Sequence, residues 1–129
     1  LKAARDRLAR MYHSVLGEID EIELPRIIDG VEHGWHLMIV KLRLDLLKKT
    51  RDEIAQDLRR ENVGSGIHFF GLHLHPYYAD SLGLTPDDLP NATQASYSIL
   101  SIPFFPLMTD KEVRLVVDAL KKVLRFARK

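Results

Sequence analysis

Trp35-His36-Leu37-Met38-Ile39-Val40-Lys41-Leu42-Arg43-Leu44 is the stretch that decides the fold class. From Trp35 to Val40 it is apolar at every position but His36, and from Lys41 onward apolar and charged residues alternate. Successive side chains of a strand point to opposite faces. The pattern therefore predicts a strand over 35–44, covered on both sides in its first half and open on one side in its second. The apolar run ends at Lys41, far short of the roughly 20 residues that cross a bilayer.

Helices flank this strand. Upstream, Leu1, Ala4, Leu8, Met11, Tyr12, Val15 and Leu16 recur at three- and four-residue steps, which predicts an amphipathic helix over 1–17 stopped at Gly17. A short extended piece, Glu23-Leu24-Pro25, and a loop over 26–34 join the two. Downstream, Thr50-Arg51-Asp52-Glu53 has the capping-box pattern and predicts a helix to about Asn62, with Ile54, Ala55 and Leu58 inward.

Gly64-Ser65-Gly66 turns the chain into an expected short strand, Ile67-His68-Phe69-Phe70. Short helices follow after Pro76, to Gly83, then at Thr85-Pro86-Asp87-Asp88 and over 91–99. Leu100-Ser101-Ile102-Pro103 reads as a terminal strand. A second capping box, Thr109-Asp110-Lys111-Glu112, opens a helix to about Arg125 whose stripe is Val113, Val116, Val117, Leu120, Val123 and Leu124. These elements predict an α+β (α/β class) domain with helices packed on one face of a small, mostly antiparallel sheet.

The 129 residues suffice for one domain, 1–129. Nineteen Lys and Arg against 18 Asp and Glu give a net charge of +1, without the basic excess of a nucleic-acid binder. With no cysteine, disulfide scaffolds, thiolate metal sites and cysteine nucleophiles are excluded, and a reducing cytoplasm is compatible. The start carries charge every few residues, unlike a signal peptide, and opens inside a helix without methionine. The chain is therefore expected to be part of a longer protein.

Chemistry-bearing residues concentrate between 66 and 78. His68, His73 and His75 cluster, but no carboxylate nearby completes a metal set and Pro76 interrupts the element. Ser65 lacks the glycine-x-serine-x-glycine elbow of a nucleophile, and no helix or lysine follows as in a phosphate-binding loop. Pro103-Phe104-Phe105-Pro106 fixes an extended loop that can present two rings to a partner or ligand.

Four segments, in order, resemble the DegT/DnrJ/EryC1/StrS aminotransferases. They are Val31-Glu32-His33-Gly34-Trp35-His36-Leu37, Gly66-Ile67-His68-Phe69-Phe70-Gly71-Leu72-His73-Leu74-His75-Pro76-Tyr77-Tyr78, Ser98-Ile99-Leu100-Ser101-Ile102-Pro103-Phe104-Phe105-Pro106-Leu107-Met108-Thr109, and the closing helix. The resemblance covers the family's C-terminal small domain. It implies a fold-type I enzyme that uses pyridoxal phosphate to move an amino group, commonly from glutamate, to a keto-sugar nucleotide in the cytoplasm. It also implies surface-polysaccharide or antibiotic-sugar synthesis.

The resemblance further implies that the cofactor-binding large domain is the partner, with residues 1–17 as a connecting helix packed on it, and that the enzyme is a homodimer. The isolated chain is then expected to be inactive, to bind no pyridoxal phosphate and to self-associate. By residue match, His68 and Phe69 approach the sugar and His73 is a further candidate. Phe69 stands where the family usually has tyrosine and Gly71 where it often has proline. Three other readings stay open: a sugar dehydratase of the same family, a stand-alone binding or regulatory module, and a histidine-based metal protein.

Overall fold

A computed structural model describes all 129 residues, and its central strand is shorter than the sequence predicts: β2 covers Met38–Leu42. The cause lies at Trp35, whose φ of 45° is left-handed and cannot continue a strand. Its buried indole stacks on the His33 ring at 3.9 Å, and the His13 ring meets it edge-on at 5.6 Å. The Trp35 amide donates to His33 Nδ1 at 2.8 Å, so the segment entering the sheet is tied to its own side chains.

β2 is the middle of three antiparallel strands. It pairs with β1 (Ile22–Glu23), Ile22 facing Leu42, and with β3 (Ile99–Ile102), Met38 facing Ile102 and Val40 facing Leu100. Along β2, Met38, Val40 and Leu42 are buried, whereas Ile39 and Lys41 are half-buried. The expected two-sided cover over the first half of the strand is therefore not found. Strict alternation holds throughout, because the main helices all pack on one face.

That helical layer holds the core. Helix α1 (Lys2–Leu16) buries Leu8, Ala9, Tyr12 and Leu16, and it packs on α5 (Asp110–Ala127). Within this chain the stripe is therefore largely buried, with Leu1 exposed and Ala4, Met11 and Val15 half-buried. Tyr12, fully buried, donates its hydroxyl to Pro103 O at 2.8 Å, and burial pushes its phenol well above the usual range. Helix α5 buries Val113, Val116, Val117, Leu120, Val123, Leu124 and Ala127, a stripe spaced for one helix face. Helix α2 (Arg51–Arg60) adds Ile54 and Leu58.

Both capping boxes form as the sequence predicts. Glu53 accepts from the Thr50 amide at 2.8 Å and Glu112 from the Thr109 amide at 2.7 Å. Helix α3 (Pro76–Leu82) ends at Gly83, whose φ of 63° suits glycine, and α4 (Pro90–Ser98) leads into β3. Short 3₁₀ turns occupy 44–46, 72–74 and 86–88. The chain end is fastened back: the Lys48 amide donates to Ala127 O at 2.8 Å and the Lys129 amide to Leu46 O at 3.1 Å. No helix is long and apolar enough to cross a membrane.

Candidate functional site

The expected strand over Ile67–Phe70 does not form. Only Gly66 pairs, donating to Ser101 O at 2.9 Å and accepting from the Ser101 amide at 2.8 Å. The chain then leaves the β3 edge, and His68 and Phe69 are released from the alternation that would send them to opposite faces. The His68 ring folds back over Gly66, while Phe69 projects outward, 76% exposed. The two rings meet edge to face with centroids 5.1 Å apart.

Ser101 faces Ile39 in the sheet register and so belongs to the face opposite Leu100 and Ile102. Its hydroxyl lies 2.9 Å from His68 Nδ1. A Cβ at Gly66 would come within 2.5 Å of His68 Cε1, so the ring occupies space only glycine leaves. Gly66 and Ser101 together make a seat for one imidazole on the sheet face opposite Leu100 and Ile102. Sequence reasoning found His68 and missed this seat. Its signal was a lone serine within the apolar run Ile99–Ile102.

His73 is placed elsewhere. It is buried, and its Nε2 lies 2.7 Å from Thr93 Oγ1. The Thr93 hydroxyl donates to Pro86 O at 2.7 Å, so it accepts from His73 Nε2–H. His73 thereby braces the 72–74 turn against α4, apart from the His68–Phe69 pair. His75 is exposed at the start of α3, with its ring 5.4 Å from that of Phe70. The three clustered histidines go to three different places, and no three metal-ligating side chains converge anywhere in the chain.

Gly71 has a physical account too. Its amide donates to Ser96 Oγ at 2.9 Å, and a Cβ there would lie 2.6 Å from that oxygen. A proline would remove the donor and collide with the serine.

Near the seat, the same sheet face carries Lys41, whose ammonium pairs with Glu23 at 3.4 Å. Glu23, Lys41, Arg43, Gln94 and Tyr97 line a groove of about 480 Å³, and the Tyr97 ring reaches Phe70 at 6.1 Å. A larger groove of about 520 Å³ lies between α5 and the 103–108 loop, away from His68. There Phe105 is half exposed, whereas Phe104 packs on the core beside Tyr12, so the loop presents one ring rather than two. Glu112 on that rim is held below its usual range by the Thr109 amide it caps, and Asp88 likewise by the Thr85 amide. Ser65 shares a shallow surface pocket with Asp52, Ala55, Gln56 and Arg59.

A Schiff-base lysine needs an amine desolvated among apolar groups or beside another cation. Lys41 is paired and about one-third exposed; Lys2 and Lys122 are paired at the surface.

Comparison with known proteins places this geometry among relatives. The family model described as DegT/DnrJ/EryC1/StrS aminotransferase family matches residues 1–121. The uncharacterized protein MJ1066 of Methanocaldococcus jannaschii is 34% identical over 124 residues, which cover 96% of this chain and 32% of that protein. The spore coat polysaccharide biosynthesis protein SpsC of Bacillus subtilis is 30% identical over 128 residues, covering 98% and 33%. The chain thus spans about one-third of the length of these relatives. Among solved structures, the putative sugar aminotransferase Spr1654 of Streptococcus pneumoniae in its PMP form superposes with a TM-score of 0.86 at 24% identity, over 98% of this chain and 31% of that one.

Proposed function

The chain belongs to the DegT/DnrJ/EryC1/StrS aminotransferase family, and from that premise we propose that it forms the C-terminal small domain of a pyridoxal-phosphate-dependent sugar aminotransferase. The full protein takes an amino group from an amino acid, glutamate, and passes it to a keto-sugar nucleotide in the cytoplasm. The relative SpsC, named for polysaccharide biosynthesis, supports a sugar as acceptor. The cofactor supplies the carbanion chemistry of amino transfer when bound. Its lysine belongs to the large domain, this chain's partner in the same polypeptide, and two such polypeptides pair as a homodimer. Alone, the chain binds no cofactor covalently and is inactive.

The observation that carries the assignment is the seated His68 with exposed Phe69 beside it. In this reading His68 hydrogen-bonds an oxygen of the sugar. Phe69 lays an apolar ring against the sugar and excludes water from that bond; lacking a hydroxyl, it orients by contact alone. His73 contributes by bracing the segment that carries both.

The test is His68→Ala in the full-length protein, with the two half-reactions measured apart. Loss of one hydrogen bond of about 0.5–1.5 kcal/mol lowers kcat/KM for the sugar up to roughly tenfold. The half-reaction with the amino-acid donor stays near wild type. An equal fall in both half-reactions refutes a sugar-binding role for His68.

A further inference from the structure

We propose that Ser101 is the positioning residue for His68: its buried hydroxyl donates to Nδ1 and so holds the neutral imidazole with its proton on Nε2, aimed outward as a donor. The role of that donor toward a sugar rests on the function proposed above; the tautomer itself does not.

The argument is an accounting of hydrogen bonds. Ser101 is 6% exposed, and His68 Nδ1 is the one partner its hydroxyl has, at 2.9 Å. Other buried serines give their protons to a carbonyl one turn back: Ser96 to Ala92 O and Ser98 to Gln94 O, both at 2.7 Å. Ser101 lies in a strand, where no such carbonyl is in reach. Its own amide and carbonyl are taken by Gly66. If Nδ1 carried the proton and donated to Oγ, the serine proton would be buried with no acceptor, and buried donors are rarely left so. With Oγ donating, both groups are satisfied and Nε2–H remains for a ligand.

Gly66 completes the constraint. The imidazole rests where a Cβ would stand, so the ring is bounded on one side by backbone and fixed at Nδ1 by the hydroxyl. What Nε2–H can address is then an acceptor, a keto, hydroxyl or phosphate oxygen, and not a donor such as an ammonium. Ser101 therefore sets which kind of atom this wall of the cleft recognises.

The experiment is a long-range ¹H–¹⁵N spectrum of the histidine side chains of the full-length protein, at a pH where the imidazoles are neutral. The His68 signals are assigned by their loss in His68→Gln. The expected result is Nε2 protonated and Nδ1 unprotonated in wild type, a shift toward mixed tautomers in Ser101→Ala, and return of the wild-type pattern in Ser101→Thr. The sugar KM rises several-fold in Ser101→Ala and recovers in Ser101→Thr. Protonation on Nδ1 in wild type, or an unchanged pattern in Ser101→Ala, overturns the proposal. If the tautomers behave as expected but His68→Gln leaves the sugar half-reaction intact, the positioning stands and the sugar-binding reading falls.

Discussion

The carboxylate of Glu21, 2% exposed, is held by the guanidinium of Arg128, which lies at the far end of the sequence beyond α5. One carboxylate oxygen takes the bond and the other, Oε2, has no partner. The pairing closes the sheet edge onto the chain end, where Arg128 also bridges Leu47. The Arg128 hydrogen bond holds the Glu21 carboxyl below its usual range, against the opposing pull of burial.

A folded-state pKa below the unfolded one, about 4.3 for glutamate, stabilises the fold above that pH and ceases to do so as pH falls through the folded value. In Arg128→Gln, Glu21 is a buried carboxylate without its cation and is relieved by protonation. The stability gap between wild type and Arg128→Gln is therefore expected to be widest near pH 7 and to narrow as pH falls, first as the variant's Glu21, raised by burial, takes a proton and then as the wild-type Glu21, lowered by Arg128, does. Thermal melts of the two proteins from pH 7 to 3.5 measure it; a constant gap contradicts the pairing.

At Gly66 the obstacle to a side chain is the tip of the His68 ring, which can swing away, and not backbone. Gly66→Ala is expected to leave the thermal midpoint nearly unchanged, because the backbone pairing with Ser101 survives. It is expected to detach His68 and lower the sugar half-reaction about as much as His68→Ala does. A large loss of stability with an intact sugar half-reaction is the contrary outcome.

Thr93 links His73 to Pro86 through one hydroxyl. Thr93→Val keeps the shape and removes both bonds, leaving the buried His73 ring without its partner while the exposed Pro86 carbonyl turns to water. The expected loss is about 1–3 kcal/mol, read by urea unfolding. No change would mean that His73 does not brace α4.

Leu120 is fully buried in the α5 stripe, while Leu115 on the same helix is 57% exposed. Leu120→Ala is expected to destabilise the chain by about 2–5 kcal/mol, and Leu115→Ala by less than about 0.5 kcal/mol. The contrast is measurable in the isolated chain, whose core of 23 buried residues draws on α1, α2, α5 and all three strands. The exposed rings Phe69, Tyr77 and Phe105 and the apolar Leu107 are expected to make that isolated chain associate as its concentration rises, seen by light scattering.

Local chemistry was legible in the sequence. Thr50–Glu53 and Thr109–Glu112 start their helices because a capping box needs only four consecutive residues. Gly83 ends α3 because a left-handed residue is a one-residue requirement, and the α5 stripe follows from spacing alone. Ile39 and Lys41 were read correctly as strand, Lys41 correctly on the open half and Ile39 incorrectly as covered, since what lies over a strand's second face is not encoded in the strand. Trp35 broke the strand through its packing with His13 and His33, which no local preference for tryptophan announces. The α1 stripe showed that a face must be buried, but not that α5 of the same chain buries it.

The site divides in the same way. Sequence alone singled out His68 and Phe69 by order and residue type. Only the tertiary structure brought their rings together, by ending the pairing at Gly66 so that alternation no longer separated them. It also placed Ser101, 33 residues on, against Nδ1, and moved His73 away into a brace. Capping and periodicity are fixed by neighbours in the chain, whereas the partner of a buried polar atom is fixed by which distant backbone reaches it first. That is why the candidate histidines could be named from the sequence and their separate duties could not.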